Sequence, residues 1–263
     1  MRNLVVDLGN TAAKMAIYNE LHRESDVTVV SHDEMTDKIT QMCDNHGVKV
    51  VVVASVSDFQ FPSEELKWRG ISTYMAQSPI KLPFPCRYAT CNTLGIDRVA
   101  AVVAALEQFS DPNMLIIDVG TAATYEMIVD REYIGGTISP GMAMRFKALN
   151  AFTGKLPLGN AEHFDSWIGY STDTALAAGV VNGLQFEIEG YISNFFSAFG
   201  EKSKVIITGG DHKYLAQRMK NSIFALPNLV LDGIDVLYEK FFDNYNWLID
   251  AMLQGKIIIQ NTD

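Results

Sequence analysis

Cysteine is scarce in this chain, which has three cysteines among its 263 residues. No two of them stand in a Cys-x-x-Cys pair. An odd count without such a pair predicts neither a disulfide framework nor a zinc site. We therefore expect Cys43, Cys86 and Cys91 to be buried or idle thiols in the reducing cytoplasm.

Long hydrophobic runs are missing as well. No stretch approaches the roughly 18 apolar residues that a membrane-spanning helix needs, and the apolar segment 248–259 is interrupted by polar residues and a glycine. At the start of the chain a short apolar run meets Asp7, which is too early for a signal peptide. These features predict a cytoplasmic protein without a membrane partner.

Basic residues are outnumbered, since 21 Lys and Arg stand against 31 Asp and Glu, giving a net charge of −10 and a pI of about 4.9. Binding to a nucleic-acid backbone draws on clustered Lys and Arg, so we expect no nucleic-acid partner. Phosphate ligands are not excluded, because backbone N–H groups and a metal ion can hold a nucleotide. The hydrophobic fraction of 48% is large enough for a sizeable core.

Neither common glycine-rich nucleotide motif, Gly-x-x-x-x-Gly-Lys-[Ser/Thr] or Gly-x-Gly-x-x-Gly, occurs in the chain. The chain instead contains an internal repeat: DLGNTAAKMAIY starts at Asp7, and DVGTAATYEMIV starts at Asp118, 118 − 7 = 111 residues later. Each copy follows an apolar strand and continues into a second one. Two unrelated polar hairpin turns are the alternative, because these are ordinary turn residues. The domain-sized spacing favours a duplicated unit.

Hydrophobic patterning around the repeat predicts alternating strands and helices. We expect an α/β protein of two similar halves, 1–110 and 111–263, each with a mixed sheet flanked by helices, and a cleft between them. The predicted strands are 3–6, 14–18, 27–30, 48–54, 114–117, 125–129, 133–139 and 204–208, and the predicted helices are 32–46, 95–109, 171–199 and 211–220.

The two repeated turns contain groups that suit a phosphate chain. Glycine lets the backbone approach a ligand closely, and the hydroxyls of Thr11, Thr121 and Thr124 can donate to phosphate oxygens. The carboxylates of Asp7 and Asp118 are hard oxygen ligands for Mg²⁺ or another cation. In these features the chain resembles the actin-like (ribonuclease H-like) superfamily of ATPases, acetate and sugar kinases and Hsp70 proteins.

Within that superfamily the chain resembles a type III pantothenate kinase over most of its length. Each motif alone is modest evidence, and their common order and spacing are strong evidence. The motifs are Asp7-Leu-Gly-Asn-Thr-Ala-Ala-Lys14, Gly95-Ile-Asp-Arg98, Asp118-Val-Gly-Thr-Ala-Ala-Thr124, Gly135-Gly-Thr-Ile-Ser-Pro-Gly141, Leu156-Pro157, Gly169-Tyr-Ser-Thr172 with Gly179, Thr208-Gly-Gly210 and Leu231-Asp-Gly233.

This resemblance implies ATP-dependent phosphorylation of pantothenate to 4′-phosphopantothenate, the first step of coenzyme A biosynthesis, by a homodimer. It implies Asp97 as the general base, Asp7 at the Mg²⁺ site, and Asp118 as a contact of a monovalent cation, K⁺ or NH₄⁺. The implied ATP site consists of Asp7, Leu8, Gly9, Asn10, Thr11, Ala12, Ala13, Lys14 and Thr121. The implied pantothenate site consists of Tyr88, Gly95, Ile96, Asp97, Arg98 and Thr172.

Plainer explanations exist for several of these residues. Asp97 could be a helix N-terminal acid favoured by the helix dipole. Tyr88 could be a core or rim aromatic, and Lys14 a solvated strand residue. The glycine pair Gly209-Gly210 could be an ordinary helix entry or the place where adenosine approaches the backbone. The five histidines stand apart in the sequence, so none is predicted to be catalytic.

Two other functions also fit the sequence. One is another small-molecule kinase of the same fold, because a fold does not fix a function; the Gly95–Arg98 element with Thr172 favours pantothenate over that alternative. The other is a non-catalytic nucleotide-binding regulator, and the presence of all three aspartates, Asp7, Asp97 and Asp118, favours an enzyme instead.

Overall fold

The computed structural model describes residues 2–20, 22–76, 82–161, 166–219 and 223–242. The chain forms two compact units. The first contains the residues up to Pro83, Asn92–Ala104 and the segment that starts at Val230, and the second contains Phe84–Cys91 and Ala105–Leu229. The chain passes between the compact units more than once. The division into two domains, 1–110 and 111–263, stays a prediction.

Eleven strands and seven α-helices are present in the described residues. The strands are β1 (Arg2–Leu8), β2 (Ala13–Asn19), β3 (His22–Arg23), β4 (Thr28–Val30), β5 (Val50–Ser55), β6 (Ser72–Ala76), β7 (Met114–Val119), β8 (Ala122–Val129), β9 (Glu132–Pro140), β10 (Lys204–Thr208) and β11 (Phe224–Ala225). The helices are α1 (His32–His46), α2 (Ser63–Trp68), α3 (Ile96–Gln108), α4 (Met142–Phe152), α5 (Thr172–Phe199), α6 (His212–Arg218) and α7 (Leu229–Leu237).

The two units have the same sheet topology. The sheet of the first unit has the order β3-β2-β1-β5-β6, with β4 also paired to β2, and that of the second has the order β9-β8-β7-β10-β11. In each, an antiparallel hairpin (β1–β2 or β7–β8) is followed by two parallel strands on the other side. The sequence repeat therefore marks a duplicated structural unit, and the predicted α/β class with two mixed sheets is confirmed.

Each unit buries its own core against its sheet. In the first, Leu4 and Val6 of β1 pack with Met35 and Ile39 of α1. Alternate residues of β1 point to opposite faces, and Val5 is buried as well, so helices or loops cover both sides of this strand. In the second unit, one side of α5 packs on β7, β8 and β10. A capping box of Ser171 and Thr174 starts this helix.

Helix α7 packs very closely on α3, and both contacting residues lie in the first unit. A side chain on Gly233 of α7 would overlap the backbone carbonyl of Ala100. Only glycine allows this approach, so the Leu231-Asp-Gly233 motif is explained by packing. The contact lies one turn after Asp97 on α3, and α7 therefore supports the helix that carries the candidate base.

Cysteine pairing differs from the expectation of idle thiols, which is wrong for two of the three. Cys86 and Cys91 form a disulfide with their Cα atoms 6.4 Å apart, and only Cys43 is a free, buried thiol. An odd count excludes complete pairing, but it does not exclude one local pair in a loop that turns back on itself. Within the described ranges, no helix is long and apolar enough to cross a bilayer.

Candidate active site

The first repeated turn joins β1 to β2 and places Asp7 opposite Lys14. These two residues are cross-strand partners, and the Gly9 N–H donates to the Ala12 carbonyl at 3.2 Å to close the turn. Asn10 and Thr11 are exposed at its tip, whereas Leu8 and Ala13 are buried. Leu8 and Ala13 can therefore offer a ligand only their backbone groups.

Three charged groups interact beside this turn, and all belong to the first unit. The pKa of Asp7 is raised to about 6, mainly because the carboxyl is buried; the cation of Lys14 lowers it, and the negative charge of Asp97 raises it. A carboxylate in this state favours gaining positive charge, whether as a proton or as a metal ion. The structure thus brings together Asp7, Lys14 and Asp97, although Asp7 and Asp97 are 97 − 7 = 90 residues apart in the sequence.

The Gly95–Arg98 element forms the first turn of α3. An oxygen of Asp97, Oδ1, accepts a hydrogen bond from the Arg98 N–H at 2.8 Å. A Cβ on Gly95 would lie only 2.6 Å from that oxygen, so the glycine leaves room for the carboxylate. Asp97 is partly exposed, but the side chains of Ile96 and Arg98 are 2% and 8% exposed. Ile96 belongs to the core, and its side chain does not reach solvent.

The second repeated turn joins β7 to β8 in the second unit. The Gly120 N–H donates to the carbonyl of Ala122, two residues on, at 2.9 Å, whereas the Gly9 N–H of the first turn donates to a carbonyl three residues on. Thr121 is exposed at the tip. Asp118 precedes the turn at the position equivalent to Asp7. A side chain on Gly209 would overlap the Asp118 carboxylate and the Val119 carbonyl. Gly209 has a φ of 91°, a conformation that also favours glycine.

An apolar cavity of about 250 Å³ lies beside the segment that follows Gly209-Gly210. Helix α4 forms one wall through Met142 and Phe146, residues 158–161 form another, and Asp211 reaches the same cavity. The Asp211 N–H donates to the Val119 carbonyl at 3.1 Å, which connects this wall to the second turn. A cavity of this size with a polar edge suits a flat apolar group such as a nucleobase.

The remaining predicted site residues also lie in the second unit. Tyr88 is partly buried next to β9, with its ring 3.6 Å from where a Cβ on Gly135 would stand. Thr172 is exposed at the first position of α5. The structure therefore groups Asp7–Lys14 with Gly95–Arg98 in one unit, and Thr121, Asp118, Tyr88 and Thr172 belong to the other.

Two histidines were missed by the sequence reasoning. A ring nitrogen of His32, Nε2, lies 2.9 Å from the Gly9 carbonyl oxygen, and Nδ1 of His212 lies 2.6 Å from the Gly209 carbonyl oxygen. Each therefore holds the backbone of a glycine loop through an N–H donor. His212 acts within its own loop, whereas His32 lies 23 residues from Gly9 in the sequence. Neither spacing gave a signal for this role.

Among the described residues, no group of three or more His, Cys, Asp or Glu side chains could hold a metal ion. A magnesium ion in a kinase commonly takes only one or two carboxylates and completes its shell with water and substrate phosphates. Beside the first turn, the surroundings of the Asp7 carboxylate favour a cation, because burial and Asp97 both disfavour its negative charge.

The duplicated sheet and its paired glycine turns define the class: this is a protein of the actin-like ATPase and kinase fold. The activator of the 2-hydroxyisocaproyl-CoA dehydratase from Clostridium difficile, solved with bound ADPNP, is similar in fold, with a TM-score of 0.52, 13% identity and coverage of 100% of both chains. The family model of the type III pantothenate kinases matches residues 3–194. The chain belongs to the type III pantothenate kinase family, and the resemblance found in its motifs is confirmed.

Curated relatives agree with this assignment over nearly their full length. A type III pantothenate kinase of Bacteroides fragilis (strain YCH46) is 40% identical over 247 residues, which is 93% of this chain and 98% of the relative. Another from Flavobacterium psychrophilum is 38% identical over 239 residues, covering 90% of this chain and 98% of the relative.

Proposed function

We propose that this protein transfers the terminal phosphoryl group of ATP to the primary hydroxyl of pantothenate, which gives 4′-phosphopantothenate and ADP and opens coenzyme A biosynthesis. The observation that carries the proposal is the cluster of Asp7, Lys14 and Asp97 beside a closed glycine turn, in a chain of the type III pantothenate kinase family. The use of ATP as the phosphoryl donor is consistent with a cytoplasmic enzyme. The net charge of −10 does not favour a nucleic-acid partner.

In this reaction the hydroxyl oxygen of pantothenate forms a bond to the γ-phosphorus while the bond from that phosphorus to the β,γ-bridging oxygen breaks. The hydroxyl proton passes to the carboxylate of Asp97, and ADP leaves with the electron pair of the broken bond. Transition states of this type are loose, so positioning and charge stabilisation contribute most of the rate. Asp97 can position the hydroxyl and take its proton, because a carboxylate can accept hydrogen bonds beyond the one from the Arg98 N–H.

The residues that the family resemblance implies for pantothenate are the first turn of α3, and Tyr88 and Thr172 of the second unit. The guanidinium fork of Arg98 suits the pantothenate carboxylate, which it could bind through two hydrogen bonds. Gly95 and Ile96 contribute backbone groups, since Ile96 is 2% exposed. Tyr88 and Thr172 offer an aromatic ring and an exposed hydroxyl from the second unit.

ATP recognition rests on the two glycine turns. In the first, the backbone from Leu8 to Ala13, the hydroxyl of Thr11 and the cation of Lys14 are the groups for the phosphates. In the second, Thr121 is exposed at the corresponding tip. The cavity bounded by Met142, Phe146 and Asp211 is the candidate place for the adenine base, since it opens beside Gly209-Gly210.

Two cations belong to this proposal. Asp7 would hold Mg²⁺, which neutralises charge on the phosphates when bound. Asp118 would contact a monovalent cation, K⁺ or NH₄⁺. A carboxylate oxygen of Asp118 and the Val119 carbonyl oxygen both lie close to the place where a Cβ on Gly209 would stand, so two oxygen ligands face the same spot in the second unit.

Coupled ADP release by the purified protein tests the function. With Mg-ATP we expect turnover only when pantothenate is present. Replacing K⁺ by Na⁺ should lower the turnover rate at least about tenfold, because Na⁺ would contact Asp118 more weakly and lower the affinity of the ATP site. ATP binding without pantothenate-dependent turnover would favour another kinase of this fold, and a screen of sugars and carboxylates would follow. Absence of ATP binding would contradict the nucleotide role of both turns.

The same family membership supports a homodimer, and the second unit has a surface that suits one. Phe186 on α5 is 60% exposed and Trp167 is 77% exposed. The Asn182 amide of α5 donates to the Ser166 carbonyl at 3.2 Å, which holds the Trp167 segment one helical turn from Phe186. Exposed aromatics of this size on two linked segments are typical of subunit interfaces.

Size-exclusion chromatography with light scattering tests this surface. We expect a mass of twice the 29.1 kDa chain for the wild type, and a shift to the monomer mass for Phe186→Asp, since a buried charge at an interface is costly. Trp68→Asp is the matched control. Trp68 is 90% exposed in the first unit, so this variant should stay dimeric. A monomeric wild type would contradict the homodimer.

A further inference from the structure

Residues 84–91 form an added edge on the sheet of the second unit. The Arg87 N–H donates to the Tyr133 carbonyl, and the Tyr133 N–H donates to the Pro85 carbonyl, both at 2.9 Å. An ion pair between Arg87 and Glu132, at 2.6 Å, lies beside these bonds. The first half of the segment is thereby fixed to β9, and the chain then turns away from the sheet toward Cys91.

The disulfide closes this turn around Tyr88. Cys86 pairs with Tyr133 in an isolated bridge, so it belongs to the fixed half, and Cys91 starts a short 3₁₀ turn. Both cysteines are partly exposed, so dissolved thiols and disulfides can reach them. The free Cys43 is 2% exposed in the core of the first unit and cannot be reached in the same way.

We propose that Cys86 and Cys91 are a reversible thiol–disulfide switch that sets the order of the Tyr88 turn, and thereby the affinity of the protein for its acceptor substrate. The inference about affinity rests on the proposed function, in which Tyr88 contacts pantothenate. The partner in the exchange is a low-molecular-weight disulfide.

The exchange needs no cofactor. The thiolate of one cysteine attacks a sulfur of the small disulfide, forms a mixed disulfide and releases one small thiol. The second cysteine then attacks the protein sulfur of the mixed disulfide and releases the second small thiol. Two protein thiols become one disulfide, and the small disulfide is reduced to two thiols. An excess of a small dithiol reduces the protein disulfide: one of its thiols forms a mixed disulfide and releases a protein thiol, and its second thiol then closes a small cyclic disulfide and releases the other.

Closing the ring restricts the residues between the two cysteines, including Tyr88. In the disulfide-closed loop the aromatic ring of Tyr88 lies near that of Tyr133, with the two ring centroids 6.1 Å apart. A substrate contact that is ordered beforehand binds with a smaller entropy cost. We therefore expect the oxidised protein to have a KM for pantothenate about threefold to tenfold lower than the reduced protein, with kcat unchanged within about twofold.

Thiol mapping tests the switch without reference to activity. The full-length protein is incubated with excess oxidised glutathione or with excess dithiothreitol, freed of reagent, and alkylated with N-ethylmaleimide after denaturation. After the oxidising incubation we expect Cys86 and Cys91 to be joined to each other and Cys43 to be alkylated. After the reducing incubation all three should be alkylated. Separate alkylation or glutathionylation of Cys86 and Cys91 after oxidation would overturn the proposal.

Kinetics then test the consequence. The wild type and Cys43→Ser should show the lower KM for pantothenate when oxidised. Cys86→Ser should show the higher KM in both conditions. A KM that does not change on oxidation, or that rises, overturns the switch. If neither form turns over pantothenate, the proposed function fails, and thiol mapping still decides whether the disulfide forms.

Discussion

Replacing Asp97 by Asn is expected to lower kcat for pantothenate by about 100- to 1,000-fold while ATP still binds. The amide keeps the size of the side chain but cannot take the hydroxyl proton. Binding of Mg-ATP should hold or become tighter, because the negative charge of Asp97 acts on the same region as Asp7. Single-turnover kinetics and calorimetric titration with Mg-ATP measure the two effects separately.

Asp33→Asn is the matched control for the helix-dipole explanation of Asp97. Asp33 is an exposed acid in the first turn of α1, so its loss removes a favourable charge at a helix N-terminus without touching the candidate site. We expect its kcat to stay within about twofold of the wild type. Equal losses in both variants, or an Asp97→Asn loss that follows a lower melting temperature, would contradict the role of Asp97 as a base.

Long, strongly patterned elements were predictable from sequence. The helix predicted at 171–199 is α5 (Thr172–Phe199), and the helix predicted at 32–46 is α1. Both have apolar residues three or four apart along one buried side. The repeat predicted the two hairpins, because a strand, a polar turn with glycine and a second strand form a local unit.

Short or packing-dependent elements were not predictable. Helix α2 has six residues and β11 has two, too few for a periodic pattern. Helix α7 has a glycine in its middle, which disfavours a helix in isolation and is required here by its contact with α3. The loop contacts of His32 and His212 and the disulfide likewise depend on how the chain folds back, which residue types and spacing do not reveal.

A buried carboxyl on α7 has a further consequence for stability. Asp235 is 1% exposed, and neither of its oxygens has a hydrogen-bond partner among the described residues. Its acidic neighbours are differently placed: Asp232 on α7 accepts a hydrogen bond from the Tyr18 hydroxyl at 2.6 Å. Glu239, which follows α7, accepts one from the Asn3 amide at 2.9 Å. Burial, followed by the negative charges of Glu239 and Asp232, raises the pKa of Asp235 to about 7.

We expect Asp235→Asn to raise the free energy of unfolding at pH 8 by about 2–4 kcal/mol, and by much less at pH 5. The unfolded chain ionises this carboxyl near pH 4, whereas the folded protein keeps it protonated until about pH 7. Wild-type stability from this group is therefore fully present below about pH 4, falls as the pH rises, and is lost above about pH 7. The amide stays neutral at every pH and avoids this loss. Urea unfolding at a series of pH values measures the difference.

Asp232→Asn separates the effect of burial from the effect of removing any negative charge from α7. Asp232 is only half-buried and its carboxylate has a donor in Tyr18, so this variant loses a charge-assisted hydrogen bond and should be less stable than the wild type at pH 8. A gain in both variants would show that general repulsion among the acids controls stability. A gain for Asp235→Asn that is equal at pH 5 and pH 8 would show that its carboxyl does not change protonation in this range, and that packing alone explains the difference.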